Sequence, residues 1–165
     1  MGLVIRFPAS LDAYPAQRSS LEDAEGVLLI GLRWWVEDRR RDQSPLPRLR
    51  HGMTAAGAPD AAVATDALMS IATRTARRSL EVHGPCCDCL SLPETQMLYA
   101  ASLVQSGDSA RAEHVLRTAL LSAQGADMAL GPLQAIGRLF SAARLLLRRR
   151  QSPVMPTSGS AETLH

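Results

Sequence analysis

A chain of 165 residues has the length of one ordinary domain, and a domain of that size buries roughly two-thirds of the surface its unfolded form would expose. Its 46% hydrophobic content is enough for a core and excludes global disorder, while the formal net charge of +2 gives no electrostatic case for a polyanion partner. All eighteen basic residues are Arg and Lys is absent. That usage fits the paired donors of phosphate or carboxylate recognition, and equally the codon bias of a GC-rich genome.

Residues 1–18 hold Pro8 and Pro15 and no sustained period, so they read as an N-terminal arm. No run there is long enough for a signal sequence. The most apolar stretch, Val27 to Ile30, falls far short of the ~20 residues a membrane span needs. The expected location is therefore the cytoplasm, where Cys86, Cys87 and Cys89 stay as thiols.

The helical domain is expected over residues 19–150. Ser19 and Glu22 have the spacing of a capping box for a first helix, whose stripe is Leu21, Ala24, Leu28, Leu32, Trp35 and Val36. Asp42 to Ala58 holds two Pro and two Gly and reads as a long loop. A second helix is predicted from Pro59 to about Leu80, with Val63, Ala67, Leu68, Ile71 and Thr75 inward. Glu81 to Leu90 breaks the period. Ser91 and Glu94 then form another capping box, with Pro93 inside the third helix and Gly107 ending it. Asp108 caps a fourth helix with the stripe Ala112, Val115, Leu116, Ala119 and Leu120. Gly125, Gly131 and Pro132 mark the way into a fifth, lined by Leu133, Ile136, Phe140, Ala143 and Leu147 and running to Arg150. Residues 151–165 read as a disordered tail. No period-2 alternation is long enough for a sheet. The fold class is all-α: a bundle of about five antiparallel-type helices with a Cys-rich loop between the second and third.

One segment gathers reactive groups: His83, Cys86, Cys87 and Cys89 place an imidazole and three thiols within seven residues. Zinc takes four nitrogen or sulfur ligands at tetrahedral corners, and Gly84 and Pro85 supply a bend that lets His83, Cys87 and Cys89 approach one ion. The fourth ligand is open among Cys86, His51, His114 and a second chain. The spacing lacks the paired C-x2-C signature. The same atoms allow two further readings: small cysteines that merely pack, and a redox pair in which Cys89, before a helix N-terminus, is the nucleophile and Cys87 resolves it.

The stretch from His83 to Glu94, His-Gly-Pro-Cys-Cys-Asp-Cys-Leu-Ser-Leu-Pro-Glu, follows an Arg-rich helix and precedes a helical hairpin. It resembles a segment of uncharacterised small helical bacterial proteins in which a His precedes a Cys-x-Cys pair. The resemblance carries across His83, Cys87 and Cys89, with Cys86 at a non-ligand position. It implies a helical fold and no activity. The hairpin from Leu98 to Leu120 resembles one tetratricopeptide unit; an ordinary αα-hairpin has the same pattern, and no second copy is visible.

Two further features bear on partners. Arg138, Arg144 and Arg148 would share the polar face of the last helix, where they could meet a polyanion or simply be solvated. Trp34 and Trp35 point ~100° apart on a helix, so Trp35 takes the core and Trp34 is left as an interface anchor. No phosphate loop, nucleophile elbow or fixed carboxylate pair is present. The expected function is a non-enzymatic protein acting by self- or partner association, with a structural or regulatory zinc at the His/Cys loop. The alternatives are a metal- or thiol-dependent enzyme using that loop, and a weak polyanion or nucleic-acid binder using the last helix.

Overall fold

In the computed structural model of the chain, which describes residues 11–153, the regular structure is helical. It consists of α1 (Asp23–Arg40), α2 (Leu46–Ala55), α3 (Ala61–Thr75), α4 (Leu92–Gln105), α5 (Ser109–Val115) and α6 (Ala123–Ala142). The described residues contain no strand; extended backbone meets only at two isolated bridges, Gln17–Cys89 and Ala76–Leu121. The first ten residues of the predicted arm, and 154–165 of the predicted tail, lie outside the described residues.

α4 is the central element, buried on every side from Glu94 to Val104. Such a helix needs neighbours all round: α5 and α6 pack against it, α1 meets it as well, and α6 also lies along α3. Leu28, Leu32 and Trp35 of α1, Leu68 and Met69 of α3, Leu98 and Leu103 of α4, and Leu133, Ile136 and Phe140 of α6 form one core. Each of these side chains contributes about 1.5–3 kcal/mol on burial.

The helix count differs from the sequence expectation because Leu46–Ala55, taken as loop, is α2. Pro45 is its N-cap residue and Pro47 lies in its first turn, where a missing N–H costs nothing. Leu49 and Met53, one turn apart, are its buried face. Leu46, Leu49 and Met53 recur at helical spacing, but Pro45, Pro47, Gly52 and Gly57 read as breakers and hide it. Gly52 lets the helix lie directly on α1, since a Cβ there would overlap the Trp34 ring.

Helix ends follow a common local chemistry. In α1, α2, α4 and α6 the residue two beyond the C-cap donates its N–H back to the third-last helical carbonyl: Gln43 to Asp38 O, Ala58 to Met53 O, Asp108 to Leu103 O and Leu145 to Phe140 O, at 2.8–2.9 Å. This closure requires positive φ at the residue between. Gly57 and Gly107 supply it without strain at +80° and +90°, whereas Asp42 and Arg144 adopt +54° and +60° with a Cβ in place.

Four local expectations are corrected. Ser19 does not cap α1: Glu22 is the N-cap, in a reciprocal box with Glu25, and Arg18–Ser20 is a 3-10 turn. Val63 is 52% exposed, because α3 turns Ala61, Ala64, Thr65, Leu68 and Ala72 inward instead. Ala119 is exposed, because α5 widens into a π turn at Leu116–Leu120, which shifts the phase of the stripe. The last helix starts earlier, at Ala123 behind the Ser122 cap, and continues through Gly125, Gly131 and Pro132. It also ends earlier, at Ala142 and not Arg150. Beyond it Gln105 takes over the backbone pairing, donating Nε2–H to Leu145 O (2.9 Å) and accepting from Leu147 N–H (2.7 Å).

Candidate functional site

The cysteine segment runs between α3 and α4 and is held from two sides. The N-terminal segment grips its outer edge. Arg18 donates N–H to Asp88 O (2.6 Å) and a guanidinium N–H to Pro85 O (2.7 Å), and Leu90 donates its N–H to Ala16 O. Ser19, freed from capping, donates N–H and O–H to the Asp88 carboxylate.

From beneath, the segment rests on a buried ion pair. Arg33 comes from the middle of α1 and Glu94 from the first turn of α4, and both side chains are inaccessible to solvent. They meet as a two-pronged fork, Nε to Oε1 at 2.8 Å and Nη2 to Oε2 at 3.0 Å. The remaining Arg33 N–H groups point up into the loop, to the carbonyls of Gly84 (3.4 Å), Cys87 and Cys89 (2.6 Å). Every donor of the guanidinium therefore has an oxygen acceptor. Glu94 is equally committed, accepting also from the N–H groups of Ser91 (2.9 Å) and His83 (3.1 Å). Its contact with Ser91 is one half of the capping box read from the sequence; Ser91 Oγ, accepting from Glu94 N–H, is the other. The capping glutamate of α4 is thus also the counter-ion of a residue on α1.

On this base His83, Cys87 and Cys89 converge, with one donor atom from each lying within 4.8 Å of the others. His83 Nδ1 is 3.4 Å from Cys89 Sγ and 3.1 Å from Cys89 O, and its Nε2 lies 3.5 Å from Glu81 Oε1. Nδ1 also faces Glu94 Oε2 at 3.7 Å, so each ring nitrogen has an oxygen partner for a proton and either can be the one left as a ligand. Cys87 and Cys89 place their sulfurs in disulfide contact, with Cα atoms 5.5 Å apart, against the expectation of separate thiols. Cys86, offered by the sequence as a fourth ligand, is exposed and outside the convergent group, as are His51 and His114.

The other sequence candidates are dispersed. Trp34 is half-buried, its ring seated on Gly52 and under the Arg48 guanidinium at 5.0 Å, so α2 covers the face that was expected to anchor a partner. Arg138, Arg144 and Arg148 do not share a helix face, because α6 stops at Ala142. Arg138 is exposed on α6, Arg144 is the left-handed residue that ends it, and Arg148 pairs with Asp12 and Glu22. Arg150 turns inward to make a second buried fork, Nε to Glu25 Oε1 at 2.6 Å and Nη2 to Oε2 at 2.7 Å.

The residues that sequence reasoning missed are Arg33 and Arg18. Arg33 is flanked in the chain by Leu32 and Trp34 and lies one turn from Leu29, so its local signal is a single charge set within the apolar part of α1. Comparison with protein-family models, with curated proteins and with solved structures finds no match. No helix among the described residues is long and apolar enough to cross a membrane.

Proposed function

We propose that this is a helical protein that works by association, and that it binds a zinc ion through His83, Cys87 and Cys89 when the two cysteines are reduced. The observation that carries this reading is the convergence of three donor atoms within 4.8 Å on a base that fixes the loop from below. Two thiolates and a neutral imidazole balance the charge of Zn²⁺, and they are the donors it prefers. Three ligands leave one tetrahedral position, which a side chain of a second copy or of another protein would fill, so that metal and association are linked. A cytoplasmic setting fits the reduced state.

A second reading is favoured by the disulfide contact of Cys87 and Cys89. There the pair is a dithiol that reduces a disulfide in another molecule. Cys89 thiolate attacks one substrate sulfur, forming a mixed disulfide and releasing a thiolate. Cys87 thiolate then attacks Cys89 sulfur, closing the Cys87–Cys89 bond and releasing the second. Two electrons pass to the substrate.

One sample separates the readings. Protein purified without chelator under reductant is assayed for zinc by elemental mass spectrometry, for thiols by titration, and for mass by light scattering. The metal reading expects near-stoichiometric zinc, its loss in Cys87→Ser, and a fall in mass on chelation. The redox reading expects no metal and, once reductant is removed, one titrating thiol (Cys86) in the denatured chain. Metal-free protein with three freely titrating thiols sinks both.

A further inference from the structure

The cysteine pair is held from outside as well as from beneath, and the outer hold acts on the link between the two cysteines. Cys89 faces Gln17 in an isolated antiparallel bridge. Arg18 N–H to Asp88 O (2.6 Å) and Leu90 N–H to Ala16 O (3.2 Å) close it on either side. In extended backbone, successive side chains leave opposite faces. The Asp88 carboxylate accordingly turns to the N-terminal segment, accepting from Ser19 N–H (3.0 Å) and O–H (3.1 Å), while the Cys89 sulfur meets that of Cys87. Arg18 adds a grip ahead of the pair, from its guanidinium to Pro85 O (2.7 Å).

The gripped residue is the one that sets the spacing of the cysteines. Two residues of fully extended chain span about 6.6 Å. The Cα atoms of Cys87 and Cys89 are 5.5 Å apart, so the link through Asp88 is drawn in by about 1 Å. Cysteines join most often at Cα separations of about 5.5–6 Å, which the drawn-in link meets and an extended one does not. Three hydrogen bonds from Arg18 and Ser19 to Asp88 hold that form. The holding segment is itself lightly anchored, with Ala16, Gln17, Ser19 and Ser20 all exposed. A stretch tied by polar contacts and few apolar ones opens locally at low cost.

We propose that Ala16–Ser19 is a strap that positions the cysteine pair, with Arg18, Ser19 and Asp88 as its positioning residues. Docking of the strap and the joining of the two sulfurs, directly or through a metal, favour one another. The coupling is reciprocal: the factor that docking adds to closure of the pair, closure adds to docking. The inference rests on the reading above for what the pair does.

The test uses the full chain in a Cys86→Ser background, so that only one pair can form. Metal-free protein is equilibrated with reduced and oxidised glutathione. Glutathione disulfide oxidises the two thiols to the Cys87–Cys89 bond and leaves as two glutathione thiols. The equilibrium constant is read by acid quench, alkylation and mass spectrometry. Asp88→Ala should lower it at least fivefold. Asp88→Asn, whose amide can accept from Ser19 N–H and donate to its Oγ, should stay within twofold of the parent, as should Ser20→Ala. In a second measurement, made on the parent chain alone, exchange of the Arg18 and Leu90 amide hydrogens should be at least fivefold faster reduced than oxidised. That arm stands even where Asp88→Ala fails to fold, which its melting temperature reports. An unchanged constant in folded Asp88→Ala, or equal exchange in the two oxidation states, overturns the proposal. Zinc competition with a chromophoric chelator is a separate arm, in which Asp88→Ala should bind at least fivefold more weakly. A parent chain that takes up no zinc sinks the metal reading, and the two metal-free measurements still decide the strap.

Discussion

Arg33 on α1 and Glu94 on α4 form a solvent-inaccessible, doubly hydrogen-bonded ion pair whose spare donors reach the carbonyls of Gly84 and of the candidate ligands Cys87 and Cys89. Removing one partner of such a pair leaves an uncompensated charge in the interior and costs about 3–5 kcal/mol. Arg33→Met and Glu94→Gln should each lower stability by about that amount in urea denaturation. Arg33→Met/Glu94→Leu removes both charges but orphans the loop carbonyls and the N–H groups of Ser91 and His83, so it should recover only a part of the loss. Single variants within about 1 kcal/mol of the wild type would mean that the pair does not hold the loop.

Trp34 belongs to the α1–α2 contact. Gly52→Ala should therefore destabilise by about 1–3 kcal/mol, the usual cost of overpacking, because the added methyl overlaps the indole. Trp34→Ala should likewise lower the melting temperature while leaving the mass in light scattering unchanged. A drop in mass without loss of stability would restore Trp34 as an intermolecular anchor.

Arg144 distinguishes two descriptions of the last helix. If it lay inside a helix running to Arg150, glycine in its place would cost about 1 kcal/mol. It adopts φ +60° at the residue that closes α6, where glycine relieves strain. Arg144→Gly is accordingly expected to stabilise by about 0.5–1 kcal/mol. A destabilised variant would favour the longer helix.

Tyr14 and Glu37 make stability depend on pH in opposite directions. The Tyr14 hydroxyl is buried without a hydrogen-bond partner, and burial, with Glu25 nearby, pushes its pKa well above the ordinary value of 10.0. A raised folded-state pKa means that the contribution is whole below pH 10 and is lost as pH climbs from there. Tyr14→Phe should be close to neutral at pH 7 and should flatten the alkaline decline, measured as urea midpoints from pH 7 to 11. Glu37 is held below its ordinary 4.5 by the hydrogen bond from Arg48. Its contribution is present above pH 4.5 and disappears as pH falls through the lowered value, so Glu37→Gln should show a shallower acid decline. Unchanged slopes in either variant would remove that residue from the account.

What the sequence by itself determined is what neighbouring residues settle between themselves. The capping box of Ser91 and Glu94, the glycine closure at Gly107, the Asp108 cap, the inward Trp35 and the clustering of His83 with the cysteines all depend on spacings of a few residues. Only the tertiary structure decided matters of long range. Arg33 meets Glu94 across 61 positions, Arg150 meets Glu25 across 125, and Ser19 meets Asp88 across 69. A periodic pattern cannot tell a solvated arginine from one whose partner arrives on another helix. α2 escaped notice for a different reason: its prolines and Gly52 read as breakers, although Pro45 and Pro47 stand where the helix begins and Gly52 is where Trp34 of α1 closes on it. α6 ends at Ala142 because Gln105, on a different helix, supplies the hydrogen bonds that the next turn would have made.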